Sequence, residues 1–348
     1  MPIPTGPINK WPAMHNGMTL REAVLTALKE SKGEWVSGEA LSEILKVSRT
    51  AVWKQVKTLL AEGYAIEAAP KKGYRISAPA DLLSPEEVCP GLTTEVFGQK
   101  DYFYYREIDS TSNRARILAA EGYPEGTVVV AEMQTAGRGR RGRSWYSPAS
   151  QGIYVSVILR PVLPLKEISR ISLVTAVAVA ETLELELNLQ PRIKWPNDVL
   201  IDNKKISGIL SEAVTDMDGV EYIVVGIGLN INNQIQDFPT DFRTPATSAF
   251  AEHDRIDSRI KVLQGLLLHL ESYYQELLAG NFALTLAKAK SLSMVIGQEV
   301  RLDSVNGFIV GQAIDIDDNG FLLVRDSQGT IHTIMSGEIS VLPSNSDK

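Results

Sequence analysis

Seven consecutive residues, Gly137–Arg143, are nothing but glycine and arginine. They lie in a longer run, Gln134-Thr-Ala-Gly-Arg-Gly-Arg-Arg-Gly-Arg-Ser-Trp145, between two apolar stretches, Thr127–Met133 and Gly152–Arg160. Glycine lets a backbone adopt φ > 0 and approach a ligand closely. Arginine keeps its charge and presents forked donors that match a phosphate or a carboxylate. The flanking stretches read as buried strands, so the run is a loop in the position where binding loops sit. Alone, it leaves three readings open: a solvated basic loop, a basic patch for nucleic acid, or a lid that closes over an anion.

The rest of the chain narrows the choice. Its 348 residues allow two or three domains, and 44% hydrophobic with 22% charged residues is ordinary for a soluble globular protein. No run of 18 apolar residues is present, which argues against a membrane span, and Met1–Met18 lacks the apolar core of a signal peptide. The lone Cys89 allows no internal disulfide framework, and four scattered histidines show no zinc spacing, so no metal ligands are expected and the cytoplasm is the expected compartment. The net charge of −7 is unevenly spread. Residues 1–78 hold 11 Lys and Arg against 7 Asp and Glu, a balance of +4; residues 79–348 hold 24 against 35, a balance of −11. The small basic part, rather than the acidic body, is the one suited to a polyanion.

Residues 1–18 read as a disordered extension and residues 19–78 as a first domain. Leu20, Val24, Ala27 and Leu28 give Thr19–Glu30 a helical period. Ser37 can cap a short helix that buries Leu41, Ile44 and Leu45, and Ser48 a third that runs to about Glu62 and stops at Gly63. On this third helix Val52, Val56, Leu59 and Leu60 are expected on the inner side, with Thr50, Lys54 and Lys57 on the outer. Tyr64–Ile76 reads as a hairpin with Pro70-Lys-Lys-Gly73 at its tip. The order is that of a winged helix-turn-helix. Arg49, Thr50 and Lys54 are candidates for base edges, Lys57 lies on the same face, and Lys71 and Lys72 on the wing would hold phosphates. A helical protein-interaction module with a solvated lysine face is the alternative.

After the linker Ser77–Asp81, a capping box at Ser84-Pro-Glu-Glu87 predicts a short helix. Tyr102–Ile108 reads as a strand that enters Asp109-Ser-Thr-Ser-Asn113 and then a helix to about Glu121. The hydroxyls at that junction serve either as N-caps or as partners for a polar ligand. Leu165–Leu189 reads as a long helix against a sheet. Lys194-Trp-Pro-Asn-Asp198 turns into a short strand, Val199–Ile201, and Asp202-Asn203 into the return strand Lys204–Glu212. Strict alternation there places Lys205, Ser207 and Ile209 on one face, with Ile206, Gly208 and Leu210 on the other. Lys205 by itself also fits an edge-strand charge that blocks aggregation. Tyr222–Gly228 is a further strand, Ser258–Leu278 a further amphipathic helix, and Gly297–Leu342 a set of short strands broken at Asn306-Gly307 and Asp318-Asn-Gly320, the pattern of a small barrel.

Together, Asp109-Ser-Thr111, the Gln134–Trp145 run, Lys194-Trp-Pro-Asn-Asp198 and Lys205-x-x-Gly208-Ile-Leu210 resemble the biotin protein ligases. With the basic domain in front, the chain resembles their bifunctional subset, the biotin operon repressors. The resemblance covers about residues 19–343. It implies an α+β multidomain chain: a winged helix-turn-helix, a central α/β ligase domain with a mixed sheet over residues 79–290, and an SH3-like β-barrel over 291–348. It implies a ligase that uses ATP with Mg2+ to convert biotin to biotinyl-5′-AMP and passes the biotinyl group to a lysine of a biotin carboxyl carrier protein. It also implies repression at operator DNA as a homodimer when the adenylate is bound, and no membrane partner. Ser110, Thr111, Ser112, Gln134, Arg138 and Gly139 match the family's biotin contacts. Arg140 matches the biotin-loop residue nearest the activated carboxylate, Lys205 a biotin-contacting lysine that touches the reacting carboxylate and phosphate, and Asp198 an aspartate that helps the acceptor amine lose its proton. Arg143, Trp145, Asn197 and Asn230 are candidates for the nucleotide side. Ser112 stands where asparagine is common and Ser144 where a basic residue is common. A regulator that only senses its ligand, and a lipoate ligase, are the competing readings.

Overall fold

A computed structural model of the chain describes residues 18–78, 80–215, 219–240, 242, 244–304 and 307–342. The extension at residues 1–17 and the turn residue Asn306 therefore lie outside the described residues. The chain divides into two compact units, one up to Leu82 and one from Leu83 onward.

The first unit is built from three helices, α1 (Leu20–Glu30), α2 (Gly38–Ile44) and α3 (Arg49–Ala61), and a hairpin, β1 (Ile66–Ala69) with β2 (Gly73–Ile76). Thr19, Ser37 and Ser48 each accept a backbone N–H from three residues on, which fixes where the helices begin; such a cap is worth about 1 kcal/mol. Thr19 and Glu22 complete a reciprocal capping box. Val24, Leu28, Leu41, Val52 and Leu59 are fully buried in one cluster, each stabilising by about 1.5–3 kcal/mol relative to exposure. Leu60 departs from the expectation: it lies 43% exposed, because its helical angle points it past the flank of this cluster. At the hairpin tip Lys71 takes a left-handed conformation (φ 63°), and Gly73 (φ 100°) packs where any side chain would strike Val36 and Ser37 of the preceding segment.

The second unit is organised by a seven-stranded mixed sheet of order β3-β4-β5-β9-β8-β7-β6. Its strands are β3 (Tyr102–Tyr105), β4 (Val128–Ala131), β5 (Gly152–Leu159), β6 (Arg192–Lys194), β7 (Asp198–Ile201), β8 (Lys204–Thr215) and β9 (Val220–Asn230). Only β3 and β4 pair in parallel, joined by α5 (Thr111–Ala120) as crossover. Val128 and Val130 point into the main core, where α6 (Ser169–Leu187) and α8 (Arg259–Leu278) pack, whereas Val129 points to α5 with Leu118 and Ala119. That alternation makes a three-layer arrangement. The remaining helices are α4 (Pro85–Val88), α7 (Ala249–His253) and α9 (Phe282–Ser291). Ser84 stands at the N-cap of α4, yet its hydroxyl makes no cap bond, contrary to the expected capping box. The single turn closes instead through backbone bonds from Glu87 and Val88 to the Ser84 carbonyl.

Expected alternation fails on β8. A bulge opposite Val199 and Leu200 leaves Ile206 without a partner, so the register jumps from Lys205 to Ser207. Ile206, Ser207 and Ile209 are buried, and Lys205 shares a face with Gly208. Beyond α9 lie β10 (Glu299–Ser304), β11 (Gly307–Ile316), β12 (Leu322–Asp326), β13 (Ile331–Ile334) and β14 (Glu338–Val341), a five-stranded antiparallel sheet of order β13-β12-β11-β10-β14. The expected barrel is not closed. Ile334 and Glu338 belong to opposite edges, so the sheet curls until those edges lie within about 14 Å. The edge strands are only four residues long, and no ladder joins them.

Candidate active site

The Gly/Arg loop leaves β4 and folds back on itself. The Trp145 N–H donates to the Gly137 carbonyl at 2.8 Å, and the Gly139 N–H to Arg143 at 2.7 Å. Arg141 (φ 56°) and Gly142 (φ 74°) make the left-handed turn at the tip. Gly137 is required for space, since a β-carbon there would lie 2.5 Å from the Trp145 carbonyl oxygen and 2.8 Å from Ser147 Oγ.

Two cavities lie under this loop, of about 40 and 190 Å3, and they share Gly139, Arg140, Trp145, Asn197 and Lys205. The smaller is lined by Thr111, Ser112, Gln134, Arg138 and the glycines Gly208, Gly226 and Gly228. Its floor is a bare backbone trough: a β-carbon on Gly228 would collide with the Trp145 indole, and one on Gly226 with the Ser112 hydroxyl. Gln134 Oε1 accepts from the Thr111 N–H at 2.9 Å and Gln134 Nε2 donates to Ser147 Oγ at 2.9 Å. Ser156 Oγ links Thr111 at 2.9 Å to Ser112 at 3.1 Å. The larger cavity adds Arg141, Arg143, Tyr146, Asp198, Asn230, Phe238, Phe242 and the segment Gly337–Ile339.

At the neck between them, Lys205 Nζ sits 2.7 Å from Asp198 Oδ1 and 5.4 Å from the centre of the Trp145 ring. Asn197 Nδ2 donates to the same carboxylate at 3.1 Å, and Arg140 Nη1 donates to Asn197 Oδ1 at 2.7 Å. Burial pushes the Arg140 guanidinium below its ordinary value; Asp198 acts against that shift, and Arg141 adds to it. Arg143 is held above its ordinary value by its hydrogen bond to Glu338. A neck carrying Arg140 and Lys205 can hold two anions in contact, because the cations offset their repulsion.

The structure brings together all but one of the expected residues of this unit. Ser110 is the exception: its hydroxyl is fully buried without a partner, forms no helix cap, and lines neither cavity. Asn230 faces the larger cavity, but its amide already donates to the Thr247 carbonyl at 2.9 Å. Several neighbours were not anticipated. Glu212 grips Arg138 through two bonds of 2.7 and 2.8 Å, and Asn113 accepts from the same guanidinium at 3.2 Å. Glu338 pairs with Arg143 from the curled C-terminal sheet, and Phe238 and Phe242 come from a segment with no readable motif. In the first unit, Thr50, Lys54, Lys57, Lys71 and Lys72 are exposed as expected. Arg49 is paired with Glu39 at 2.7 Å across the helix-turn-helix.

A winged helix-turn-helix unit followed by a mixed-sheet unit, with a cationic neck between two cavities, is the architecture of a ligase-type domain joined to a helix-turn-helix domain. Residues 20–75 match the HTH domain family, residues 104–230 the biotin/lipoate A/B protein ligase family, and residues 295–342 the biotin protein ligase C terminal domain. The bifunctional ligase/repressor BirA of Bacillus spizizenii is 41% identical over 93% of this chain and 99% of its own length. That of Escherichia coli is 31% identical over 89% and 94%. Among solved structures, the biotin protein ligase from Aquifex aeolicus in complex with biotin and ATP is similar, with a TM-score of 0.61 and 32% identity over 70% of this chain and all of that one. The chain belongs to the biotin protein ligases, in the bifunctional ligase/repressor group. Among the described residues, no helix is long and apolar enough to cross a membrane.

Proposed function

We propose that the protein biotinylates a lysine of a biotin carboxyl carrier protein and represses biotin synthesis genes in response to its own adenylate. The observation that carries the first activity is the shared neck of the two cavities, where Arg140, Asn197 and Lys205 face both. In this reading biotin occupies the side of Thr111, Ser112, Gln134 and Arg138. ATP occupies the side of Arg143, Trp145, Asn197 and Asn230. A biotin carboxylate oxygen attacks the α-phosphorus, the bond to the bridging oxygen breaks, and pyrophosphate leaves. Arg140 and Lys205 stabilise the charge that gathers where the two anions meet. The acceptor lysine amine then attacks the acyl carbon, AMP leaves, and Asp198 takes the amine proton.

Mg2+ enters this reading as the ATP salt, held by the phosphates. Among the described residues, no three acidic, histidine or cysteine side chains gather as a ready-made metal site. The loop's turn at Arg141–Gly142 supports a lid that excludes water from the labile adenylate. Repression is supported by the exposed basic face of the first unit. The expected working form is a cytoplasmic homodimer when the adenylate is bound.

The test is to incubate the protein with biotin, MgATP and a carboxyl carrier domain, adding lipoate as competitor in a parallel reaction. Biotin-dependent pyrophosphate release with a matching mass gain on the carrier is expected. Absence of release would leave a ligand-sensing regulator, and preferential use of lipoate would overturn the substrate assignment.

A further inference from the structure

On α3 the buried residues Val52, Val56 and Leu59 define the inward direction, and Thr50, Lys54 and Lys57 stand outward. Trp53 stands on the flank of the helix beside Lys57, on the side where Leu60 also emerges. It is 45% exposed, and the Lys57 ammonium lies 4.0 Å from the centre of its ring. A half-exposed indole in the second turn of such a helix is a large apolar surface left partly in water, with the Lys57 ammonium lying over its ring. Trp35, the other tryptophan described in this unit, differs: it is partly buried beside the hairpin, with Arg75 at 4.8 Å and Lys72 at 5.6 Å from its ring.

We infer that Trp53 is a base-reading residue whose indole packs against thymine C5-methyl groups in the major groove. The assignment rests on the DNA-binding reading of this unit. The occupant follows from charge and chemistry. Lys54, Lys57, Lys71 and Lys72 are exposed on this unit, which suits a polyanion. The apolar feature that the major groove displays is the thymine methyl, and apolar side chains read it by contact. The Lys57 ammonium over the ring preorganises the pair, leaving the indole edge for the base and the charge for the adjacent phosphate.

The test uses the full chain with biotin and MgATP present. A duplex is first selected from a random-sequence pool, and each thymine in it is then replaced by deoxyuridine, which removes only the methyl. Wild type should lose about fourfold in affinity at one or more thymines, the value for one buried methyl. Trp53→Ala should weaken binding on the order of tenfold and show no further loss on those same uridine duplexes. Trp53→Phe should restore part of both the affinity and the methyl sensitivity. Uridine substitutions that leave wild-type affinity unchanged would overturn the inference without any variant having to fold. So would a Trp53→Ala chain that keeps full methyl sensitivity, or one that weakens selected and unselected duplexes equally. If the pool yields no enriched duplex, the DNA-binding reading itself fails, which is distinct from failure of the Trp53 assignment alone.

Discussion

Lys205 is one of the side chains that the two cavities share, and its surroundings separate a charge role from a packing role. Its ammonium contacts Asp198 and lies over Trp145, and its side chain keeps a quarter of its exposure. Lys205→Ala should therefore lower biotin-dependent pyrophosphate release on the order of 10²–10³-fold. The folding free energy should move by no more than about 1 kcal/mol. A variant with wild-type turnover would remove Lys205 from the reaction, and a collapsed melting curve would make it a structural residue. Glu212 is the complementary case. Its two bonds tie the Gly/Arg loop to β8 through Arg138, so Glu212→Gln should raise the KM for biotin about fivefold while kcat changes less. An unchanged KM would show that the tie is dispensable. Lys205 was legible because it falls within a motif. Glu212 and Glu338 were not, because each meets its arginine only after the sheet has folded, 74 and 195 residues away in sequence. Ser110 shows the opposite limit: the motif names it, but it is absent from the lining of both cavities, and its buried hydroxyl has no hydrogen-bond partner.

The β7–β8 hairpin shows how much of an element a sequence pattern carries. Asp202 and Asn203 both take positive φ, 45° and 64°, as the tight two-residue turn requires, and both strands are where alternation places them. Facing is a different matter, because one unpaired residue in the ladder moves every side chain beyond it to the other face. The bulge at Ile206 does this, and it sets Lys205 beside Gly208 above the trough of Gly208, Gly226 and Gly228. No residue type announces such a bulge, since a buried isoleucine is ordinary in a strand. The trough itself makes a prediction. Gly228 lies in β9 outside the left-handed region, so alanine costs nothing in backbone conformation, but its methyl collides with the Trp145 indole. Overpacking of this kind costs roughly 1–3 kcal/mol. Gly228→Ala should lower kcat/KM for biotin on the order of tenfold and leave the seven-stranded sheet intact. Normal biotin kinetics would show that Trp145 is free to leave the trough.

At the scale of the whole chain, opposite charge balances on the two parts assign the polyanion to the first unit, and the Gly/Arg loop to the acidic second unit. Arg138, Arg140 and Arg143 of the loop are engaged by Glu212, Asn197 and Glu338 within the second unit, which favours the anion-closing reading of the run over a nucleic-acid patch. The lysines of the first unit then have a stoichiometry that can be measured. Each B-DNA phosphate that a protein ceases to neutralise lowers the slope of log affinity against log salt by about 0.9. If one chain binds, Lys71→Ala should change that slope by about 0.9 per complex; if two chains bind a palindrome, by about 1.8. The expected result, in filter binding across a salt series with biotin and MgATP present, is the larger change. The weakening should be uniform across sequences, because a wing lysine holds a phosphate and reads no base. Lys54→Ala should instead weaken the selected duplex more than a random one, by about 1–3 kcal/mol of discrimination per half-site, and leave carrier biotinylation unchanged. A slope change near 0.9 together with a footprint over a single half-site would establish a monomeric repressor. In that case the adenylate would have to act on the first unit within one chain rather than through assembly of two.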